Sequence, residues 1–463
     1  MDEKIMLKSP IDGSIYAERD YATEEEITQA FNRSIQAQQT WKNTDIYHRQ
    51  QCCREMVNAF TDNAEEIAEQ LCWMMGRPIR YAKSEIQGLA ERANYMIDIA
   101  PEALKTESVD GKPGFNRFIT REPLGVCFVI APWNYPYLTA VNTIIPAIMA
   151  GNSVVLKHSA LTALCAEQFS KAFDQSELAA DVFQHLHLTH KATENILQQQ
   201  KVHSVSFTGS TFGGEQIERS AAGKFININL ELGGKDPAYV RADADLQHAV
   251  ETCIDGAFFN SGQSCCGIER IYVAESLFDE FVSKATEMVK GYILGRPDDP
   301  LTTLGPVISP KAADFIRDQI DEALNAGATA HVSPSEFPLD KAGTPYLAPQ
   351  LLTNVDHNMR VMTEESFGPI VGIMKVKDDD EAVKLMNDSE FGLTASVFTQ
   401  NMDEAIKVGQ QLDTGTFFVN RCDYLDPALA WTGVKNSGRG CSLSAYGYHA
   451  LTRPKSYHIK TEI

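Results

Sequence analysis

A chain of 463 residues with 43% hydrophobic and 22% charged residues is long enough for two or three domains and has an ordinary globular balance. Its 62 acidic against 41 basic residues leave a formal charge of −21, which argues against a nucleic acid or an anionic membrane as partner. The opening "MDEKIMLKSPIDG" has no signal-peptide core and no run of about 18 apolar residues occurs, so a soluble, cytoplasmic protein is expected.

The chain opens as helix. Thr23 and Glu26 form a capping-box pattern, and Ile27, Phe31 and Ile35 then recur on one face. Helical patterns continue to about Lys105, where the Gly/Pro-punctuated "VDGKPGFNRFITREPLG" predicts a hairpin or excursion. From Val126 short apolar runs alternate with helices: "GVCFVIAPWNYP", "IIPAIMAGNSVVLKHSA", "VHSVSFTGSTFGGEQI". This alternation predicts a parallel, doubly wound sheet, which binds ligands at the carboxyl ends of its strands. A second alternating region begins near Asp243, with an Asp cap before Leu246, Val250 and Ile254, and runs to about Asn436. The tail "RPKSYHIKTEI" alternates briefly and could add a strand to another subunit.

Ten cysteines, at Cys52, Cys53, Cys72, Cys127, Cys165, Cys253, Cys265, Cys266, Cys422 and Cys441, contain no Cys-x-x-Cys, and no His-x-x-x-His occurs. A zinc site and a disulfide framework are therefore not expected. Cys265 and Cys266 cannot bridge easily, since adjacent Cα atoms lie about 3.8 Å apart and a relaxed disulfide wants roughly 4.4–6.8 Å.

Several groups could carry chemistry. The small residues from Gly209 to Gly214 lie between a strand and a helix, and could cradle an anion or form an ordinary turn. Lys157 ends a buried strand and must reach solvent or a ligand. Glu231, in "NLELGGKDP", sits in an apolar run that raises a carboxyl pKa; it could be a general base or a structural partner of Lys235. Asn134, in "APWNYP", could donate to an oxyanion or simply make a turn. In "FFNSGQSCCGIER" the local residues do not choose between Cys265 and Cys266 as a nucleophile.

Taken together and in order, "PWNYP", "VVLK", "FTGST", "LELGGKDP", "FFNSGQSCC", "EESFGP" and "GVKNSGRG" resemble the aldehyde dehydrogenase superfamily across essentially the whole chain. The resemblance implies an α/β fold: a Rossmann-type cofactor domain (1–104 and 124–233), an α/β catalytic domain (234–436) and a small β oligomerisation arm (105–123 and 437–463). It implies Cys265 as nucleophile, Glu231 as base, and Asn134 with the Cys265 N–H as oxyanion hole. Around the cofactor it places Trp133, Lys157, Ser159, Ala160, Gly209, Ser210, Gly214, Leu232, Glu365 and Phe367. Lys157 would reach the adenosine ribose, Ser210 the pyrophosphate, and Glu365 and Phe367 the nicotinamide ribose and ring. Tyr135, Asn142, Ser264, Cys266, Arg421 and Asp423 would line the substrate pocket.

The implied reaction is NAD(P)⁺-dependent oxidation of an aldehyde to a carboxylate, through a Cys265 thiohemiacetal and thioester. Glu231 favours hydrolysis of that thioester over its transfer to another acceptor. The chain departs from the family at "KHSA", where Ala160 replaces an acid that grips the ribose. NADP⁺ is therefore favoured over NAD⁺, with Lys157, Ser159 and His158 as candidate phosphate ligands. Phe212 stands where Glu is common, and "SGRGCS" lacks the usual Gly-Arg-Glu. Asn142 and Thr143 stand where bulky or charged groups are common, and Arg421 and Asp423 could face the pocket or pair with each other. A small polar aldehyde, sugar-derived, hydroxylated or a semialdehyde, suits this pocket. A homodimer or homotetramer without metal is expected; a non-catalytic cofactor-binding protein and a cofactor-independent thiol esterase are the alternatives.

Overall fold

A computed structural model describes residues 4–199 and 201–462. Four helices follow an N-terminal hairpin: Glu24–Trp41, Ile46–Asp62, Ala64–Met75 and Ile79–Ala103. The first has the capping box read from the sequence, with Thr23 Oγ1 accepting from Glu26 N and the Glu26 carboxylate returning to Thr23 N.

The first sheet orders its strands as Gly438–Arg439, Asn227–Glu231, Ser204–Thr208, Val126–Ala131, Ser153–His158 and Phe183–His185. Its neighbours run parallel except for the antiparallel Gly438–Arg439. Strands of a doubly covered sheet are buried on both faces, which explains why Val126–Ala131 is an unbroken apolar run. Cys127, Val129 and Ala131 pack into the cluster built with the N-terminal helices, while Val126, Phe128 and Ile130 face the opposite cluster.

The chain then crosses at residues 232–235 into a seven-stranded sheet, ordered Thr329–Ala330, Gln350–Thr353, Ile370–Val376, Ile268–Ala274, Asp236–Val240, Thr394–Phe398 and Thr416–Val419. It is parallel apart from its first strand and carries an apolar cluster on each face. A small separate sheet joins Thr452–Lys460, Phe115–Pro123 and Glu107–Ser108.

One expectation changes in detail. The segment 437–463 is not all arm: Gly438–Arg439 pairs with Leu230–Glu231, and the helix Ser444–Ala450 buries Tyr448, whose hydroxyl donates to Met96 O at 2.6 Å. The buried tyrosine ties this stretch to the N-terminal helices, leaving Thr452–Lys460 to the small sheet. That tail strand pairs within its own chain, Thr452 opposite Pro123 through Lys460 opposite Phe115. The helix Leu246–Phe258 is capped by Asp245, whereas Asp243 accepts from Thr399 Oγ1 at 2.7 Å.

Candidate active site

The cleft lies where the two large sheets meet, at the carboxyl ends of the first sheet's strands. It encloses about 810 Å³. Its walls include Trp133, Asn134, Lys157, Ser159, Ala160, Gly209, Ser210, Leu232, Cys265, Glu365 and Phe367. Eleven positions from six separate segments are thus brought together.

The thiol loop is held tightly from outside the cleft. Asn260, Ser261 and Gly262 all adopt positive φ, at 53°, 56° and 70°. Glycine is needed at the last because a Cβ there would collide with the Gly368 carbonyl. Ser261 Oγ donates to Gly305 O at 2.8 Å, and Gln263 Oε1 accepts from Ile308 N at 2.7 Å. Asn134 Nδ2 donates to Gln263 O at 3.2 Å, so the amide stands beside the thiol loop. The Asn134 carbonyl is fixed by Arg77 Nη2 at 2.7 Å, while Arg77 Nη1 pairs with Glu85. Arg77 also lies over the Tyr135 ring, 4.5 Å from its centroid, so Tyr135 supports this framework.

The two thiols face different surroundings. Cys265 is half-buried in the cleft wall. Cys266 is buried behind it, and its Sγ donates to Asp423 Oδ1 at 2.9 Å. Its thiol is pushed well above the ordinary range by the Cys265 contact, then by burial and by Asp423. Cys127 lies inside the central strand, where burial pushes its thiol up to about 12. Among the described residues Cys265 is the cysteine that lines the cleft.

Glu231 ends the strand Asn227–Glu231. Its carboxylate accepts from Ser442 Oγ and, at 3.4 Å, from Thr208 Oγ1. Burial raises its pKa against the opposing pull of Ser442, Arg92 and Thr208. The structural alternative, a pair with Lys235, does not form: Lys235 Nζ reaches Glu269 Oε2 at 2.5 Å and Ser366 Oγ at 3.0 Å. Glu269 also accepts from Ser366 N and Phe367 N, which fixes the "ESF" turn. The glycines after Glu231 allow two close approaches. Side chains at Gly233 and Gly234 would meet the Glu365 carboxylate and the Cys265 carbonyl. Gly234 N donates to Glu365 Oε1 at 3.0 Å, and burial lifts Glu365 to about 8.

The remaining cofactor residues divide. Lys157 is buried with its Nζ 3.3 Å from His158 O, and burial alone lowers its pKa to about 8. Ser159 caps a short turn by accepting from Leu161 N at 3.3 Å. Ser210 caps the helix Thr211–Ala221, and Trp133 meets Phe367 edge-on at 5.5 Å. His158 is a correction: its ring turns inward to Pro136 O at 3.2 Å and Thr162 Oγ1 at 3.1 Å, away from the cleft. Gly214 is another. It does not line the cleft, because its place is under Leu232, whose Cδ2 would lie 2.7 Å from an added Cβ. Thr189, His190 and Lys191 line the cleft but escaped the sequence reading, since they only begin another helix.

The pocket residues also divide. Ser264 is buried, with its Oγ 3.4 Å from Asp423 Oδ1, and burial lifts Asp423 to about 6. Arg421 is exposed and lies over the Tyr424 ring, 3.8 Å from its centroid. It neither pairs with Asp423 nor enters this cluster. Asn142 is buried and accepts from Arg92 Nη1 at 3.4 Å. Arg92 and Ser442 had no local sequence signal; each meets the site from a distant segment.

The geometry now has a family frame. The aldehyde dehydrogenase family model matches residues 1–457. The chain belongs to the aldehyde dehydrogenase family. It is 33% identical over 430 residues to the succinate-semialdehyde dehydrogenase (NADP⁺) of Deinococcus radiodurans, covering 93% of this chain and 89% of that protein. An NADP-complexed glyceraldehyde-3-phosphate dehydrogenase of Bacillus halodurans superposes with a TM-score of 0.94 at 31% identity, covering 100% and 96% of the two chains. The succinic semialdehyde dehydrogenase of Streptococcus pyogenes, complexed with NADP⁺, gives a TM-score of 0.94 at 26% identity, covering 98% and 99%. This aldehyde dehydrogenase has no helix, among its described residues, long and apolar enough to cross a membrane. Among the same residues no His, Cys, Asp and Glu group is placed to hold a metal.

Proposed function

We propose that this aldehyde dehydrogenase oxidises a small semialdehyde to the carboxylate, with Cys265 as nucleophile, Glu231 as general base and Asn134 as oxyanion donor. The observation that carries the reading is the Cys265 thiol in the cleft wall, with Asn134 docked on its loop and Glu365 and Phe367 beside it.

A nicotinamide dinucleotide fits the residues present. Glu365 is the one carboxylate among the described cleft-lining residues; Lys191 pairs with Glu194, which is not one of them, at 3.2 Å, so Lys157, Ser159 and His190 share the lining with no other acid. A buried lysine whose Nζ meets only a backbone carbonyl is suited to a phosphate-bearing ribose. This supports NADP⁺, the cofactor named for the relatives above. Ser210 and the helix it caps suit the pyrophosphate; Trp133, Leu232, Glu365 and Phe367 suit the nicotinamide end. When bound, the nicotinamide supplies the hydride acceptor.

The protein's own groups do the rest. Cys265 attacks the aldehyde carbon, and the Asn134 amide with the Cys265 N–H stabilises the oxyanion. Glu231, with its raised pKa, takes the proton of the water that hydrolyses the Cys265 thioester. All ten cysteines are free, which fits a reducing, cytoplasmic setting. The small sheet, with Thr452–Lys460 at its edge, suits a homodimer or homotetramer.

Nicotinamide reduction at 340 nm, about as general an assay as the family offers, tests the reading. Cys265→Ala is expected to lose NADP⁺-dependent turnover of succinic semialdehyde, while Cys266→Ala retains most of it. The opposite pattern would overturn the assignment. A higher kcat/KM with NAD⁺ by more than about tenfold, ~1.4 kcal/mol, would overturn the cofactor preference.

A further inference from the structure

Beside the loop that carries Asp423 lies a cation that the reaction as described does not use. Arg92 projects from the helix Ile79–Ala103 toward the helix Pro136–Met149. Their close approach has a local cause: Gly88, one turn before Arg92, rests against Leu138, whose Cδ2 would lie 2.8 Å from an added Cβ. Arg92 Nη1 then donates to Leu138 O at 3.0 Å and Asn142 Oδ1 at 3.4 Å. A further tie, Tyr424 Oη to Glu91 Oε1 at 2.5 Å, holds this turn against the loop carrying Asp423.

Arg92 therefore stands near the carboxyl groups of Glu231, Glu85 and Asp423 and the neutral Cys266 thiol, yet among the described residues it has no ion-pair partner. Glu231 is engaged by Ser442 and Thr208, and Asp423 by Cys266 and Ser264. Asn142 Nδ2, buried beside Arg92, also has no protein partner. A guanidinium carries five N–H donors, and two of its three nitrogens here meet no acceptor among the described residues. An unpaired cation and an unpaired amide donor side by side suit an anionic group.

We propose that Arg92, oriented by Leu138 O and Asn142, binds the remote carboxylate of the aldehyde substrate and so selects anionic semialdehydes over neutral aldehydes. This rests on the reading of Cys265 and its cleft as the active site. The guanidinium comes from the N-terminal helices, and Arg421, the arginine nearest the pocket in sequence, plays no part in it. Arg92 is a specificity-determining residue: it holds the end of the substrate that does not react, so its loss falls on KM.

The test compares succinic semialdehyde with butanal, which has the same carbon count and no carboxylate. The wild-type enzyme is expected to favour the semialdehyde in kcat/KM, and in Arg92→Met that ratio falls between about 10- and 100-fold, as the loss of a charge-assisted hydrogen bond implies. The loss appears as a raised KM for the semialdehyde, with weaker competitive inhibition by succinate. Arg92→Lys, which keeps the charge but not the fork, recovers part of the ratio and serves if Arg92→Met does not fold. A ratio changed less than about threefold in a folded variant would overturn the proposal. So would a wild-type enzyme indifferent between the two aldehydes. Turnover of both aldehydes by Cys265→Ala would instead overturn the active-site reading beneath it.

Discussion

Glu231 shows how much one carboxylate owes to its surroundings. A free glutamate is ionised and weakly basic at neutral pH; burial raises this one, while Ser442 and Thr208 hold it in place. The sign of its pH effect follows. Below the raised pKa the carboxyl is protonated and cannot accept a proton from water, so kcat is expected to fall as pH drops through that pKa. Glu231→Gln should preserve a first-turnover burst of reduced cofactor and lower the steady-state rate by about 10²–10⁴-fold, the usual worth of a general base. Rapid-mixing absorbance separates the two phases, and an unchanged steady state would remove Glu231 from the role. The signature Glu-Leu-Gly-Gly made the residue visible in the chain. Its partner Ser442 was not, because a serine about two hundred positions away announces no contact.

At the scale of elements, the thiol loop is the decisive construction. Three successive residues, Asn260 to Gly262, run in the left-handed region, an arrangement that persists only where the surroundings over-determine it. Those surroundings are Gly305, Ile308 and Gly368, from segments later in the chain, and Arg77 and Asn134, from segments earlier in it. Gly262→Ala adds a side chain at φ 70° against the Gly368 carbonyl. It should destabilise the enzyme by ~1–3 kcal/mol and lower kcat, read by urea unfolding and steady-state kinetics. Wild-type values for both would mean that the loop relaxes freely. The Gly-Gln-x-Cys motif in the sequence proposed Cys265 by resemblance; the physical distinction between Cys265 and Cys266 needed Asp423, which comes from another loop.

Across the whole molecule, one buried ion pair joins the parts that form the cleft. Arg77 and Glu85 are 2% and 1% exposed. Arg77 reaches Asn134 O from the N-terminal helices and Asn260 Oδ1 in the thiol loop, while Glu85 Oε1 accepts from Tyr137 N at 2.8 Å, at the start of the helix Pro136–Met149. Removing one member leaves the other charge uncompensated, so Arg77→Met is expected to cost about 3–5 kcal/mol and to slow turnover as Asn134 shifts. Chemical denaturation measures the first effect and kcat with succinic semialdehyde the second. An unfolding free energy within 1 kcal/mol of wild type, roughly the scale of an ordinary surface substitution, would show that Glu85 finds another partner.

By itself the sequence determined the helices before Lys105 and the strand-helix alternation after Val126, because burial on both faces demands apolar runs and helical packing demands its own period. It missed the opening hairpin Lys4–Lys8 with Ile15–Asp20, which has neither signal. Its motifs, through their resemblance to the family, also singled out Asn134, Cys265, Lys157 and Glu365, which the fold brings into one cleft, and Glu231. What it left open depended on distant partners: Lys235 goes to Glu269 rather than Glu231, His158 turns inward, and residues 437–451 pack into the first unit instead of the arm. Side-chain direction is set by what packs against it, and only tertiary structure brings those neighbours together. The same reason hid Arg92, a surface-type residue in a helical pattern until the fold laid it against Leu138 and Asn142.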